Sequence, residues 1–249
     1  MEEEAIIKVL VFADARIGYS ITKFLIDQFH SDVVAVINIG NKDIIKLCEE
    51  SNVPHYSCQN EAEIIKKIAH KDIDLGILAW WPNIISKDLI GLPKYGFINT
   101  HNSLLPHNRG KHPYFWAIVE ERPYGVTLHK VDEGIDTGDI VAQREIRYGW
   151  EDTAGTVYEK SLKEMISLFC EEYPKLRNGD FNLKPQGDFG SFHCGKEIEI
   201  ASEIDLDAVY TARELINILR ARTTSTSFPA SFFKDGKDIY RVKVIIEKE

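Results

Sequence analysis

No stretch of the sequence approaches the roughly 20 uninterrupted apolar residues that a membrane-crossing helix needs. The opening Met1-Glu2-Glu3-Glu4 is acidic where a secretory leader would be basic. A cytoplasmic protein without membrane contact is the expectation. Cysteine is sparse, and Cys48, Cys58, Cys170 and Cys194 stand too far apart for a zinc or redox motif, so they read as reduced thiols. Glycine is missing where a dinucleotide site would use it. The turn Phe12-Ala13-Asp14-Ala15-Arg16-Ile17-Gly18 holds one glycine instead of the three that let backbone approach a pyrophosphate, and a GxxxxGK[ST] phosphate loop is also lacking. A nicotinamide or flavin cofactor is disfavoured. Basic charge is short as well: the net charge is −9 and the sequence pI about 5.4. Nucleic-acid affinity comes mostly from Lys and Arg meeting phosphates, so no nucleic-acid partner is expected, although a small anion can still find a local basic pocket. Internal repeats and low-complexity tracts are not visible.

What is present is an apolar fraction of 44% in 249 residues, enough for one large core or for a core domain with a small appendage. The first third alternates β-branched runs with amphipathic segments, the pattern of a parallel sheet with helices on both faces. Strands are expected at Ile6 to Phe12, Val33 to Ile37 and Leu75 to Ala79, with a short extended piece at Val53 to Tyr56. Helices are expected from Ile17 to Phe29, Ile44 to Glu50 and Glu61 to Ile68. Further on come a strand at Gly96 to Asn99, a polar loop to Lys111 and a helix through Phe115 to Glu120. Paired strands near Val126 to Val131 and Ile140 to Ile146 precede a long helix from Ala154 to Leu176. Past Gly187 a helix from Ala212 to Arg220 and a hairpin around Asp235-Gly236 suggest a small α+β unit. The expected architecture is α/β, a doubly wound and mostly parallel sheet over residues 1–187, followed by a small C-terminal subdomain over 188–249 that ends in a hairpin.

Two polar clusters carry chemistry. Asn99 through Lys111 follows a strand, at the carboxyl end where open α/β sheets place ligands. Asp132-Glu133-Gly134-Ile135-Asp136-Thr137-Gly138-Asp139 fills a loop between two strands. In extended chain Asn99 and His101 project to the same side, so an amide and an imidazole can meet one substrate atom while an acid from the second loop holds the imidazole's far nitrogen. Four carboxylates with His101, His107 and His112 imitate a metal site in composition only. Their spacings match no ligand pair, and no metal is expected.

The run Asn-x-His-x-Ser-Leu-Leu-Pro, followed by Gly-Val-Thr-Leu-His and Asp-Glu-Gly-Ile-Asp-Thr-Gly-Asp, closely resembles the folate-dependent formyltransferases. That family includes the glycinamide ribonucleotide, methionyl-tRNA and sugar-nucleotide enzymes. The resemblance covers the core to about Gly187 and, more weakly, Leu215 to Arg222 with Phe228-Pro229-Ala230. It implies the formyltransferase fold, 10-formyltetrahydrofolate as co-substrate and Asn99, His101 and Asp136 as the catalytic trio. In that trio Asn99 would donate to the oxyanion, His101 would stabilise it or relay the amine's proton, and Asp136 would orient His101.

Leu78 to Ser86 looks like the family's pterin-pocket segment, which implies folate contacts at Trp81, Asn83, Ile84 and Ile85, joined by Gly134 and Ile135. Ser103 through Trp116 looks like the sugar-nucleotide branch's version of its loop. Substrate contacts are then implied at Asn102, Ser103, Arg109 and Lys111, with Arg220 or Arg222 reaching a diphosphate. The implied acceptor is a nucleotide-linked amino deoxysugar, foremost a dTDP-4-amino-4,6-dideoxyhexose of the kind used in lipopolysaccharide O-antigen, with a 3-amino isomer or a GDP- or UDP-linked sugar as close competitors, and the terminal hairpin is expected to support a homodimer. Rival expectations are a methionyl-tRNA enzyme, a formyltetrahydrofolate hydrolase, and a silent sugar-nucleotide-binding module.

Overall fold

The computed structural model describes residues 7–187, 189–224 and 229–249. Ile6, Asp188 at the head of the expected subdomain, and Phe228 therefore lie outside the described residues. In chain order the elements are β1 (Val9–Ala13), α1 (Ala15–Phe29), β2 (Val33–Asn38), α2 (Lys42–Glu50), β3 (His55–Ser57), α3 (Glu61–Ile68), β4 (Leu75–Ala79), α4 (Lys87–Ile90) and β5 (Phe97–His101). There follow β6 (Arg109–Gly110), α5 (Pro113–Val119), β7 (Gly125–Lys130), β8 (Ile140–Glu145), α6 (Ala154–Arg177), β9 (Phe192–His193), α7 (Glu197–Ser202), α8 (Ala212–Ala221), β10 (Ser231–Asp235) and β11 (Asp238–Val242). Contacts divide the chain into two units. The first joins Met1–His101, Thr127–Gln143 and Glu164–Gln186; the second joins Asn102–Val126, Arg144–Lys163 and Gly187–Glu249.

The first unit is built on a sheet in the order β3-β2-β1-β4-β5-β7-β8. Neighbours from β3 to β5 run parallel, and β7 runs antiparallel to β5. Every residue of β1 and β4 is buried, as expected for strands covered on both faces, which read as unbroken apolar runs. The order reverses between β1 and β4, the switch point whose carboxyl edge opens a crevice for ligands. Gly18 serves this arrangement. A Cβ there would stand 2.8 Å from the Ala79 carbonyl oxygen, so glycine lets α1 lie close against the strand ends. Asn41 and Asn60 cap α2 and α3 by accepting main-chain N–H groups of their first turns. Asp32, fully buried, accepts from the Tyr173 hydroxyl at 2.8 Å and from Arg177 Nε at 2.9 Å, fastening the end of α6 to the start of β2.

The second unit contains α5, α7, α8, the β10–β11 hairpin and a short parallel pair, β6 with β9. β6 lies inside the stretch expected as an irregular polar loop. Arg109 N and Lys111 N donate to the carbonyls of Ser191 and His193, both at 2.9 Å, so a partner some 80 residues away gives this loop strand structure. α8 starts on a capping box in which Thr211 and Glu214 satisfy each other's main-chain N–H groups. All four cysteines are free, and burial pushes the Cys48 thiol up to about 11.

Candidate active site

The site begins with the alternation of β5. Thr100 points away from its neighbours, accepting from Trp80 N at 2.9 Å and donating to the Leu78 carbonyl at 3.1 Å. This hydroxyl locks the end of β4 to the end of β5. Asn99 and His101 consequently share the opposite face of a fixed strand. Across the antiparallel ladder Asn99 is paired with His129 and His101 with Thr127, which brings a second histidine to the face that the first strand presents.

Asp136 arrives from the turn after β7. Asp132 Oδ1 organises that turn by accepting from Gly134 N at 3.1 Å and from the Thr137 hydroxyl at 2.7 Å. Lys130 N donates to the Asp139 carbonyl at 2.8 Å. At Gly138 a Cβ would collide with the Lys130 carbonyl, 2.0 Å away, so the tight return requires glycine. Asp136 itself adopts a left-handed backbone, φ 54°.

The four side chains meet. Asp136 Oδ2 lies 3.5 Å from His101 Nδ1, and Oδ1 lies 3.5 Å from His129 Nε2 and 3.4 Å from Asn99 Nδ2. Asn99 Nδ2 is 3.1 Å from His129 Nε2. His129 Nδ1 sits 2.7 Å from the Lys130 carbonyl oxygen, a partner that only accepts, so Nδ1 carries hydrogen. With the ring neutral, Nε2 is a lone pair, and Asn99 must turn its NH2 group toward it. Both amide hydrogens then face protein partners, His129 and Asp136, and service to a substrate oxygen requires the long Asp136 contact to be exchanged. Long contacts of this kind in a ligand-free site tighten when substrate is present. The ammonium of Lys130 is pushed down by burial; it donates to the Tyr95 carbonyl and lies 4.5 Å from the Phe181 ring centre.

The structure thus groups Asn99, His101 and Asp136, and adds His129, which the sequence reading left unassigned. His129 was visible as the last residue of Gly-Val-Thr-Leu-His. Its place opposite Asn99 depends on strand register, which sequence spacing does not reveal.

The other expected residues divide. In the segment after β4, Ile85 is buried in the core, and Trp81, half-buried at the edge of that core, packs edge-on against Phe12 at 5.1 Å. Ile85 therefore gives its side chain to the core, and its expected folate contact stays a proposal. Asn83 is exposed and Ile84 is 80% exposed, leaving these two open to a ligand; Gly134 and Ile135 are also exposed. In the second unit Asn102 and Ser103 are buried, Arg109 is half-buried and Lys111 exposed. Arg220 is corrected. It is 3% exposed, gives Nε to Asn217 Oδ1 at 2.8 Å and Nη1 to the carbonyls of Gly149 at 2.7 Å and Asp152 at 3.1 Å. That guanidinium fastens α8 to the 149–152 turn and does not face solvent. Arg222, also buried, pairs through Nη2 with Glu199 at 2.9 Å.

Among the described residues no three His, Cys, Asp or Glu side chains converge as a metal-ligand set. No helix among them is long and apolar enough to cross a membrane.

Residues 26–171 match the family described as formyl transferase, and residues 197–248 match the N-formyltransferase dimerization C-terminal domain. A methionyl-tRNA formyltransferase of Thermodesulfovibrio yellowstonii is 34% identical over 218 residues, covering 84% of this chain and 66% of its own length. The dTDP-4-amino-4,6-dideoxyglucose formyltransferase of Mycobacterium bovis is 31% identical over 154 residues, 61% of this chain and 65% of that protein. The chain thus spans just under two thirds of these curated relatives. A crystal structure of a 4-N formyltransferase from Francisella tularensis superimposes with a TM-score of 0.84 at 27% identity, covering 98% of this chain and 99% of that one.

Proposed function

The chain belongs to the formyl transferase family, and from that premise we propose that it moves a formyl group from 10-formyltetrahydrofolate to the amine of a nucleotide-linked amino deoxysugar. The observation that carries the reading is the convergence of Asn99, His101, His129 and Asp136 on one face of β5 and β7. An amide donor beside an imidazole and a carboxylate suits a reaction in which a neutral amine attacks a formyl carbon and charge gathers on the formyl oxygen.

In this account a carbon–nitrogen bond forms to the sugar amine and the bond from the formyl carbon to the folate nitrogen breaks. The proton lost by the amine is gained by that nitrogen. His101, with Nδ1 3.5 Å from Asp136 Oδ2, can when protonated supply positive charge to the developing oxyanion, or relay the amine's proton. Asn99 offers its amide hydrogen to the same oxygen once substrate displaces the Asp136 contact. Asn83, Ile84, Gly134 and Ile135 are the exposed candidates for holding the folate. Asn102, Ser103, Arg109, Lys111 and Arg222 are the candidates for the sugar nucleotide.

Support for a sugar acceptor comes from a structure from Mycobacterium tuberculosis described as a likely sugar N-formyltransferase, which matches 98% of this chain at 26% identity. The Mycobacterium bovis relative, a dTDP-4-amino-4,6-dideoxyglucose formyltransferase, supports a dTDP-4-amino-4,6-dideoxyhexose as the first acceptor to test. A methionyl-tRNA acceptor has a more identical relative behind it, but a net charge of −9 is poorly suited to a polyanion. The tail's match to a dimerization domain supports a homodimer, and four free thiols suit the cytoplasm. The testing experiment supplies purified protein with 10-formyltetrahydrofolate and a panel of amino-sugar nucleotides, and follows tetrahydrofolate release. Release that needs the amino sugar supports the proposal. Release without it identifies a hydrolase.

A further inference from the structure

Gln186 lies 50 residues beyond Asp136 in sequence and is buried beside it. Its Nε2 donates to the main-chain carbonyl of Asp136 at 2.9 Å and to that of Gly138 at 2.6 Å. An amide NH2 has two hydrogens, one for each carbonyl, and the two acceptors flank Thr137. One side chain therefore bridges the turn directly behind the acid. Asp136 holds a left-handed backbone, a conformation uncommon for residues with a Cβ although aspartate tolerates it better than most. Asp132 secures the front of the turn through Gly134 N and Thr137 Oγ1, and Gln186 secures the peptide groups that follow the acid.

We propose that Gln186 is a positioning residue, which fixes the 136–138 backbone so that the Asp136 carboxylate meets His101, His129 and Asn99. It touches no reacting atom in this role. The proposal rests on the functional reading above, since it is measured first through formyl transfer.

Gln186→Leu keeps the approximate shape and removes both hydrogens. Gln186→Glu keeps the shape and sets a carboxyl group against two carbonyl oxygens, where the ionised form repels both and the protonated form can donate to one. Burial raises the pKa of such a carboxyl group, bringing its titration toward neutral pH. Steady-state kinetics with 10-formyltetrahydrofolate and dTDP-4-amino-4,6-dideoxyglucose should show kcat for Gln186→Leu lowered roughly tenfold or more at every pH, with KM for the sugar nucleotide changed by less than about twofold. Gln186→Glu should be as poor at mildly alkaline pH and should recover relative to the parent protein as pH falls. A merely structural role would lower melting temperature in both variants without that acid-side recovery. Parent-like kcat in Gln186→Leu, or a Gln186→Glu pH profile that parallels the parent's, overturns the proposal. Should Gln186→Leu not fold, the Gln186→Glu profile decides alone.

A parent protein inactive on every amino-sugar nucleotide would count against the functional reading instead. The positioning role is then decided by NMR titration of His101. Its midpoint falls below the parent's in Gln186→Leu and in Gln186→Glu if Asp136 has withdrawn, and a midpoint unchanged in the folded variants overturns the proposal.

Discussion

Asn99 and His129 face each other across the antiparallel β5–β7 ladder, with the amide nitrogen 3.1 Å from the imidazole Nε2. Because the Lys130 carbonyl holds the hydrogen on Nδ1, His129 dictates which end of the Asn99 amide turns inward. His129→Ala removes that instruction. We expect kcat to fall roughly 10–100-fold, the scale of a misplaced catalytic group. His129→Gln, which can still offer an acceptor oxygen, should recover part of the loss. Steady-state kinetics on the two variants, with melting temperatures to separate unfolding from misorientation, checks this; equal kcat in the two would remove Asn99 orientation as the cause.

Asp136→Asn keeps the shape of the acid and removes its charge. The imidazolium of His101 then loses its counter-charge, so the His101 midpoint should fall and kcat with it, by roughly a hundredfold or more. NMR titration and turnover should move together. A midpoint unchanged in a poorly active variant would assign Asp136 to another task.

Arg220→Met tests the correction in the second unit. Gly149 and Asp152 would each lose a charged donor to a buried carbonyl, a loss of about 1–3 kcal/mol in stability. Calorimetry should show a lower melting temperature with sugar-nucleotide affinity unchanged. Weakened affinity at unchanged stability would return Arg220 to the substrate.

With a net charge of −9 the protein should not retain initiator tRNA at physiological salt. A gel shift measures this, and sub-micromolar binding would favour the methionyl-tRNA reading.

Much of the first unit could be read directly from its residues. Glu61–Ile68 and Leu75–Ala79 form the expected helix and strand with the expected limits, because local periodicity and turn residues define them. The grouping of Asn99 with His101 was legible for the same reason, as alternation along one strand is local. What escaped was non-local. β6 is a strand only because residues 191–193 lie beside it. His129 reaches Asn99 through a register between strands whose antiparallel pairing the sequence does not state. Ile85 was placed at the folate because its segment resembles a pterin-pocket stretch, and Arg220 at a diphosphate because a guanidinium at a helix end suits one. Burial, which local sequence does not state, puts the Ile85 side chain inside an apolar core and matches Arg220 to carbonyls about 70 residues upstream.

The measurement closest to the central claim is tetrahydrofolate formation by the parent protein and by Asn99→Ala and His101→Ala, each with and without dTDP-4-amino-4,6-dideoxyglucose. The account predicts release that depends on the amino sugar in the parent, formylated sugar nucleotide in equal amount by mass spectrometry, and loss of nearly all turnover in both folded variants. Near-normal turnover in either variant, or release indifferent to the amino sugar across the nucleotide panel, would contradict it.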